Sequence, residues 1–293
     1  MQGELVRIDA EDGLELVGFY ATPREASARR AVLHTHGFAG NFYENRFVSN
    51  IADAVVEKGL AFLTYNNRGH EYRSDNLKGS GVETTSHLGG GSFEVFEECV
   101  YDIGGAADFL AGRGHEEIYF EGHSLATNKT IHYLTSRGDA RAVGAILIGP
   151  PDIFGLCQAG TEGRIDGILE EARSLVREAR GETLIDDSGL VVRMSAATLL
   201  SAYGNPAVTD TFPFRLGDDG DYGRLASVKV PILVSLGTVD EAMTVSAERA
   251  AELLERHTAS SADVRIEVIE GANHTYWGRE DELARVVAGF VEA

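Results

Sequence analysis

Alternation marks the first twenty residues. Leu5 to Ile8 and Leu14 to Tyr20 alternate apolar and polar positions across Asp9-Ala10-Glu11-Asp12-Gly13, which predicts an opening β-hairpin. The pattern then changes to nearly unbroken apolar runs. These are Ala31 to Thr35, Leu60 to Tyr65, Ile118 to Phe120 ending at Gly122, Ala142 to Ile148 and Val230 to Leu236, with a last strand expected at Val264 to Ile269. Between them lie stretches of helical spacing. Glu44 to Lys58 carries Phe47, Ile51, Ala54 and Val55 and stops at Gly59; Phe93 to Ala111 carries Phe96, Val100, Ile103 and Phe109. Leu125 to Tyr133, Glu241 to His257 and Asp281 to Val291 complete the set. Strands apolar on both faces, alternating with helices, call for a mostly parallel sheet covered on both sides.

Residues 152–228 interrupt this rhythm. They hold one strongly amphipathic segment, about Thr161 to Arg180, with Ile165, Ile168, Leu169, Ala172, Leu175 and Val176 in a stripe. A shorter helical piece, Ala196 to Tyr203, follows, and then the tract Gly217-Asp218-Asp219-Gly220-Asp221. No buried strand is convincing here. The expected organisation is an α/β core of residues 1–151 and 229–293 with a helical cap, 152–228, inserted over the carboxyl edge of the sheet. The underside of that cap is expected to roof a mostly apolar pocket, its stripe packing on Leu199, Leu200 and Phe214. Lys78 to Gly91, rich in glycine, reads as a long flexible loop.

Charge narrows the partners. The 293 residues carry 46 acidic and 26 basic side chains, a net charge of −20. Nucleic acid and anionic membranes are repelled by such a surface, so a small-molecule substrate is expected. Cys99 and Cys157 are too far apart for a metal-ligand spacing and are expected to stay reduced. Neither a secretory leader nor a run near the roughly 18 apolar residues of a membrane span is visible, so a cytoplasmic protein is expected. Oligomeric state is left open.

The chemistry centres on Ile118-Tyr119-Phe120-Glu121-Gly122-His123-Ser124-Leu125-Ala126. An apolar strand, a G-x-S-x-A turn and a helix-compatible segment form the nucleophile-elbow pattern, with Ala126 where a second glycine is usual. Lifting a serine hydroxyl above a sheet edge needs a sharp turn, so the positions two before and two after the serine must be small. Two further strand ends carry hydrolytic groups: Asp240 follows Val230 to Leu236, and His274 follows Val264 to Ile269. A hydroxyl is a poor nucleophile alone. An imidazole takes its proton, and a carboxylate fixes the tautomer and stabilises the imidazolium.

In the order Ser, Asp, His and in its elbow, the chain resembles the α/β-hydrolase-fold enzymes with a helical cap, along essentially its whole length. His36-Gly37-Phe38 is similar to that family's HG-x loop, and Asn66-Asn67-Arg68-Gly69-His70 to its D-x-R-G-h segment, with Asn66 for the usual Asp. The resemblance implies an oxyanion hole from the backbone N–H groups of Phe38 and Leu125, and no metal or organic cofactor. The HGF-x-GN opening and the Gly/Ser-rich loop before the second helix resemble siderophore-ester hydrolases and related intracellular esterases. Hydrolysis of a carboxylic ester, lactone or thioester of a mid-sized, largely apolar substrate is the implied activity. An acyltransferase or cyclising enzyme built on the same acyl-enzyme, or a non-catalytic ligand receptor, are the alternatives.

Several residues have plainer readings. Asp240 could cap a helix beginning at Glu241, with Glu241 complementing its dipole. His36 reads as a structural loop histidine and His34 as a satisfied core residue. His70, His87 and His123 are expected at the mouth of the site, with His36 and His123 as possible substrate or lid contacts. Gly89, Gly90 and Gly91 lie between the wrong elements for an oxyanion loop and read as a mobile lid. Asp218, Asp219 and Asp221 lack calcium-loop spacing and read as solvated.

Overall fold

The computed structural model describes residues 2–23, 28–186, 189–190, 192–258 and 263–292. Two antiparallel strands, β1 (Glu4–Asp9) and β2 (Glu15–Ala21), open the chain as the alternation predicts, pairing Glu4 with Tyr20 through Asp9 with Glu15. There follow β3 (Arg30–Thr35), α1 (Arg46–Glu57), β4 (Ala61–Tyr65), β5 (Ser74–Lys78), β6 (Thr85–Gly89), α2 (Cys99–Gly112), β7 (Glu117–His123), α3 (Leu125–Arg137) and β8 (Ala142–Ile148). The last part of the core is β11 (Ile232–Gly237), α9 (Ala247–His257), β12 (Val264–Ile269) and α10 (Glu280–Glu292). Between β8 and β11 lie α4 (Ile153–Gly160), α5 (Ile165–Arg177), β9 (Leu184–Ile185), β10 (Met194–Ser195), α6 (Ala196–Tyr203), α7 (Pro206–Thr209) and α8 (Gly223–Ala226).

Eight strands form one sheet in the order β1-β2-β4-β3-β7-β8-β11-β12. From β4 to β12 every pairing is parallel, and β2 joins β4 antiparallel. The burial pattern explains the apolar runs: β4 and β11 are buried at every position, whereas β1 at the edge alternates. One cluster packs α2 against the sheet through Ile103, Ala106 and Leu110. Another packs α1 and α10 through Phe47, Ile51, Val55, Leu283 and Val287. A third packs α9 through Ala250, Leu253 and Leu254.

Several boundaries depart from the sequence reading. The tract read as a flexible loop is mostly the β5–β6 hairpin, pairing Ser74 with Gly89 through Lys78 with Thr85; its polar, exposed positions hid the alternation. The segment from Phe93 begins with a 3-10 turn at Phe96–Glu98 before α2 starts at Cys99. Helix α9 starts at Ala247, not Glu241, and its N-cap is Ser246, whose hydroxyl accepts from the Arg249 N–H. This removes the helix-cap reading of Asp240.

The segment between β8 and β11 has its own core. The stripe of α5, Ile168, Leu169, Ala172 and Leu175, packs on Leu199 and Leu200 of α6. Val176 is half-exposed and lies off the stripe. Phe214 joins the sheet-side cluster with Phe212 and Tyr222 instead. Asp152 ties the two ends of the segment together. Fully buried, it accepts from Gly155 N–H (2.9 Å), from the backbone N–H (2.6 Å) and guanidinium (2.7 Å) of Arg215, and from the Thr244 hydroxyl (2.6 Å). Among the described residues no helix is long and apolar enough to cross a membrane.

Candidate active site

Ser124 sits in the turn between β7 and α3 at φ 57° and ψ −131°. Non-glycine residues avoid this conformation at a cost on the order of 1–3 kcal/mol, and it persists only where the surroundings enforce it. Here the Ser124 N–H donates to the Ile148 carbonyl (3.0 Å), which fastens the turn to β8. Glycine is required two residues earlier. A Cβ on Gly122 would run into the Ala126 carbonyl and lie 2.7 Å from Thr130 Oγ1, because α3 crosses directly over the strand end. Ala126 is fully buried, so its single methyl is accommodated.

Asp240 and His274 come to the serine on two loops zipped to each other. The Val239 N–H donates to the Ala272 carbonyl (3.0 Å) and the Gly271 N–H to Thr238 Oγ1 (2.8 Å). The Glu241 carboxylate accepts from the His274 N–H (3.1 Å), a different task from the dipole partner expected. His274 Nδ1 lies 2.9 Å from Asp240 Oδ1, and its Nε2 lies 2.8 Å from Ser124 Oγ. A carboxylate oxygen only accepts, so Nδ1 carries the proton and Nε2 faces the serine hydroxyl as an acceptor. Asp240 Oδ1 also accepts from the Ala242 N–H (2.8 Å), while its buried Oδ2 has no hydrogen-bond partner among the described residues.

The loop after β3 brings Phe38 to the same place. A Cβ on Gly37 would lie 2.7 Å from Ser124 Cβ, so only glycine lets this loop approach the serine. Leu125 is the first residue of α3, and its N–H is one of the amides a helix leaves unpaired. Phe38, Leu125 and Ser124 line one cavity of about 240 Å³. Its remaining wall is mostly apolar: Pro151 just before the inserted segment, Ile153 and Leu156 at its start, and Met194, Ala202 and Tyr203 around α6. Met194, Ala202 and Tyr203 were not singled out from the sequence, since nothing in local spacing shows which helix faces turn towards Ser124. The α5 stripe supports α6 and does not reach the cavity.

His36 and His123 do not touch the cavity. Both are buried, and each is held by the backbone. His36 Nδ1 donates to the Gly37 carbonyl (2.9 Å), and its Nε2 accepts from the Asn67 N–H (3.1 Å), bracing the Phe38 loop. His123 Nε2 donates to the His274 carbonyl (2.8 Å). His34 faces Glu121 at 2.6 Å inside the sheet, the satisfied core histidine expected. His70 and His87 also lie off the cavity wall. Gly89 and Gly90 lie off the cavity wall. Gly89 ends β6, and the Gly90 and Gly91 N–H groups donate to Arg68 and Glu71 carbonyls at 2.8 Å, leaving only Gly91 on the cavity wall. Asn66 Oδ1 accepts from the Phe42 N–H (3.1 Å), a loop contact away from Ser124. Asp218 is bridged by Arg249 and Arg256, and no cluster of metal-ligating side chains occurs among the described residues.

Burial holds the pKa of His36 and of His123 well below the usual 6.5; for His123 the neighbouring His274 adds to the effect. The sign of the consequence follows. Above about pH 6.5 neither the folded nor the unfolded chain protonates these rings. Below it the unfolded chain takes up protons that the fold refuses, so stability falls by up to about 1.4 kcal/mol per pH unit for each ring. Melting temperature is therefore expected to drop steadily between pH 7 and pH 5, and His36→Gln should flatten that slope. An equal slope in the variant would show that His36 does not contribute.

No protein-family model matches this sequence, and no curated protein matches it. Solved structures do. The siderophore hydrolase EstB from Aspergillus fumigatus superposes with a TM-score of 0.69 at 16% identity, covering 99% of this chain and 97% of that one. The ferulic-acid complex of Est1E from Butyrivibrio proteoclasticus gives 0.62 at 17%, covering 98% of each chain. An esterase from Pyrococcus furiosus, Pf2001, gives 0.63 at 16%, covering 99% and 90%. Likeness at these identities speaks to architecture, and together with the strand order and the turn at Ser124 it leads to one conclusion: the chain has the α/β-hydrolase fold.

Proposed function

We propose that this protein is a serine hydrolase that cleaves a carboxylic ester, lactone or thioester through an acyl-enzyme on Ser124. The observation that carries this reading is the connected series Ser124 Oγ, His274 and Asp240, at 2.8 and 2.9 Å, opening into an apolar cavity. As Oγ attacks the substrate carbonyl carbon, its proton passes to His274 Nε2, and the imidazolium formed is stabilised by Asp240. The oxygen of the tetrahedral intermediate takes hydrogen bonds from the Phe38 and Leu125 amides. Collapse expels the alcohol or thiol, which receives the proton from His274. Water, deprotonated by the same ring, then releases the acid and restores Ser124.

Residues 152–228 act in this reading as a cap that selects the substrate, since they supply much of the cavity wall. At about 240 Å³ the cavity is smaller than the roughly 300–1,000 Å³ typical of ligand sites. A compact, mainly apolar group fits it better than a macrocycle. The esterase and siderophore-hydrolase neighbours support an ester as the bond cleaved.

The test is labelling with a fluorophosphonate, peptide mapping of the adduct, and a panel of small esters, lactones and amides. Labelling at Ser124 with turnover of esters is expected. Labelling elsewhere, or no turnover across the panel, would favour a ligand-binding protein on the same fold.

A further inference from the structure

One carboxylate interrupts the apolar lining of the cavity. Glu94, on the loop after β6, is only 5% exposed and forms part of the wall with Ser124, Phe96 and Met194. Its Oε1 accepts from the ammonium of Lys129, which is fully buried on α3 one turn beyond Leu125. No other hydrogen bond reaches this carboxylate among the described residues, so Oε2 keeps its acceptor capacity. Room is made for that oxygen, because a Cβ on Gly69 would overlap it. The loop is also fixed to the inserted segment. The Ser92 carbonyl accepts from the Ser195 N–H (2.8 Å) and the Thr198 hydroxyl (3.1 Å), and the Phe96 N–H donates to Ser201 Oγ (2.7 Å).

Stability does not account for such a pair. Stripping water from two charges offsets most of their attraction, and well-packed apolar residues of the same volume often do as well or better. What an apolar pair would lack is an anchored acceptor on a residue of the cavity wall. Lys129 already balances the charge, so a cationic ligand would leave an uncompensated positive charge in an apolar space, at high cost. A neutral donor meets the free oxygen without that penalty.

Building on the ester-hydrolase reading of this same cavity, we propose that Glu94 is a specificity-determining group. Its free oxygen accepts a hydrogen bond from a neutral O–H or N–H carried by the otherwise apolar part of the substrate. Lys129 is the positioning residue that holds the carboxylate. The substrate class is therefore an ester with one polar donor inside the cavity, and not a plain hydrocarbon ester.

Matched pairs test this. Methyl meta- and para-(hydroxymethyl)benzoates are compared with the methyl toluates, and the corresponding (hydroxymethyl)benzyl acetates with the methylbenzyl acetates, so that the donor sits in either half of the ester. Kcat/KM is measured on the wild type and Kd on Ser124→Ala. In at least one pair the hydroxyl compound is expected to lead by about tenfold or more in both measurements, since a site built to bond a donor penalises its absence. Glu94→Leu with Lys129→Met, which leaves no charge unpaired, should collapse the ratio; if that variant does not fold, Glu94→Gln should reduce it several-fold. Equal or better handling of the methyl compound in every pair overturns the proposal, as does a ratio that survives in the folded variants. Fluorophosphonate labelling separates the two readings. A Kd preference without labelling would sink the hydrolase reading alone, and labelling without a preference would sink the role of Glu94 alone.

Discussion

Replacing Ser124 by alanine is expected to cut turnover of an activated ester by about a millionfold and to abolish fluorophosphonate labelling. Loss of a triad serine has that scale, because the remaining groups have no nucleophile to activate. The fold should survive. Among the described residues the only side-chain partner of Oγ is His274 Nε2, and the methyl of alanine keeps the Cβ that already packs against Gly37. Alanine also retains the unfavourable φ of 57°, so little strain is relieved and the melting temperature should hardly move. The measurement pairs kcat with thermal denaturation. Retention of more than a few per cent of the activity in a folded Ser124→Ala protein would remove the nucleophile assignment.

Asp240→Asn is expected to lower kcat by about 10³–10⁴ while leaving a folded protein. Geometry gives the reason. Asp240 Oδ1 accepts two hydrogen bonds, from His274 Nδ1 and from the Ala242 N–H. If the asparagine places its oxygen there, its amide NH₂ takes the buried Oδ2 position, where no described residue offers a partner. If it turns the NH₂ towards His274, it enforces the wrong tautomer and abandons Ala242. Both orientations remove the negative charge that stabilises the imidazolium. Leaving a buried donor unpaired costs about 1–3 kcal/mol, so a modest fall in melting temperature should accompany the first orientation. Helix α9 is untouched, because Ser246 caps it. Unchanged kcat would hand the acid's role to another carboxylate, of which Glu241, bonded to the His274 N–H, is nearest at hand.

Much of this molecule was legible in the sequence because its signals are local. Continuous apolar runs are the mark of strands buried on both faces, and β8 begins and ends where its run does; β12, a half-exposed edge strand, also keeps its expected bounds. The elbow was legible for a similar reason: Gly122, Ser124 and Ala126 satisfy a steric demand acting within five residues. The chain order of Ser124, Asp240 and His274, each after a strand, then followed from topology, since parallel strands deliver their ends to one edge.

Tertiary structure decided the rest, because those features depend on partners far apart in the chain. The β5–β6 hairpin is polar and exposed, so no buried face imposed a pattern on it. Asp240 preceding a helical stretch looked like a cap until α9 proved to begin seven residues later, at Ala247. His36 and His123 looked available because a histidine near a site reads the same whether it faces ligand or backbone; only the Asn67 N–H and the His274 carbonyl show the difference. Glu94 and Lys129 are 35 residues apart in sequence, and each alone would be read as a solvated charge. Local sequence fixes what a segment forms, through sterics and the burial of its own faces. Which charge is stripped of water and built into a cavity wall is set by the packing of remote segments, and that the fold alone determines.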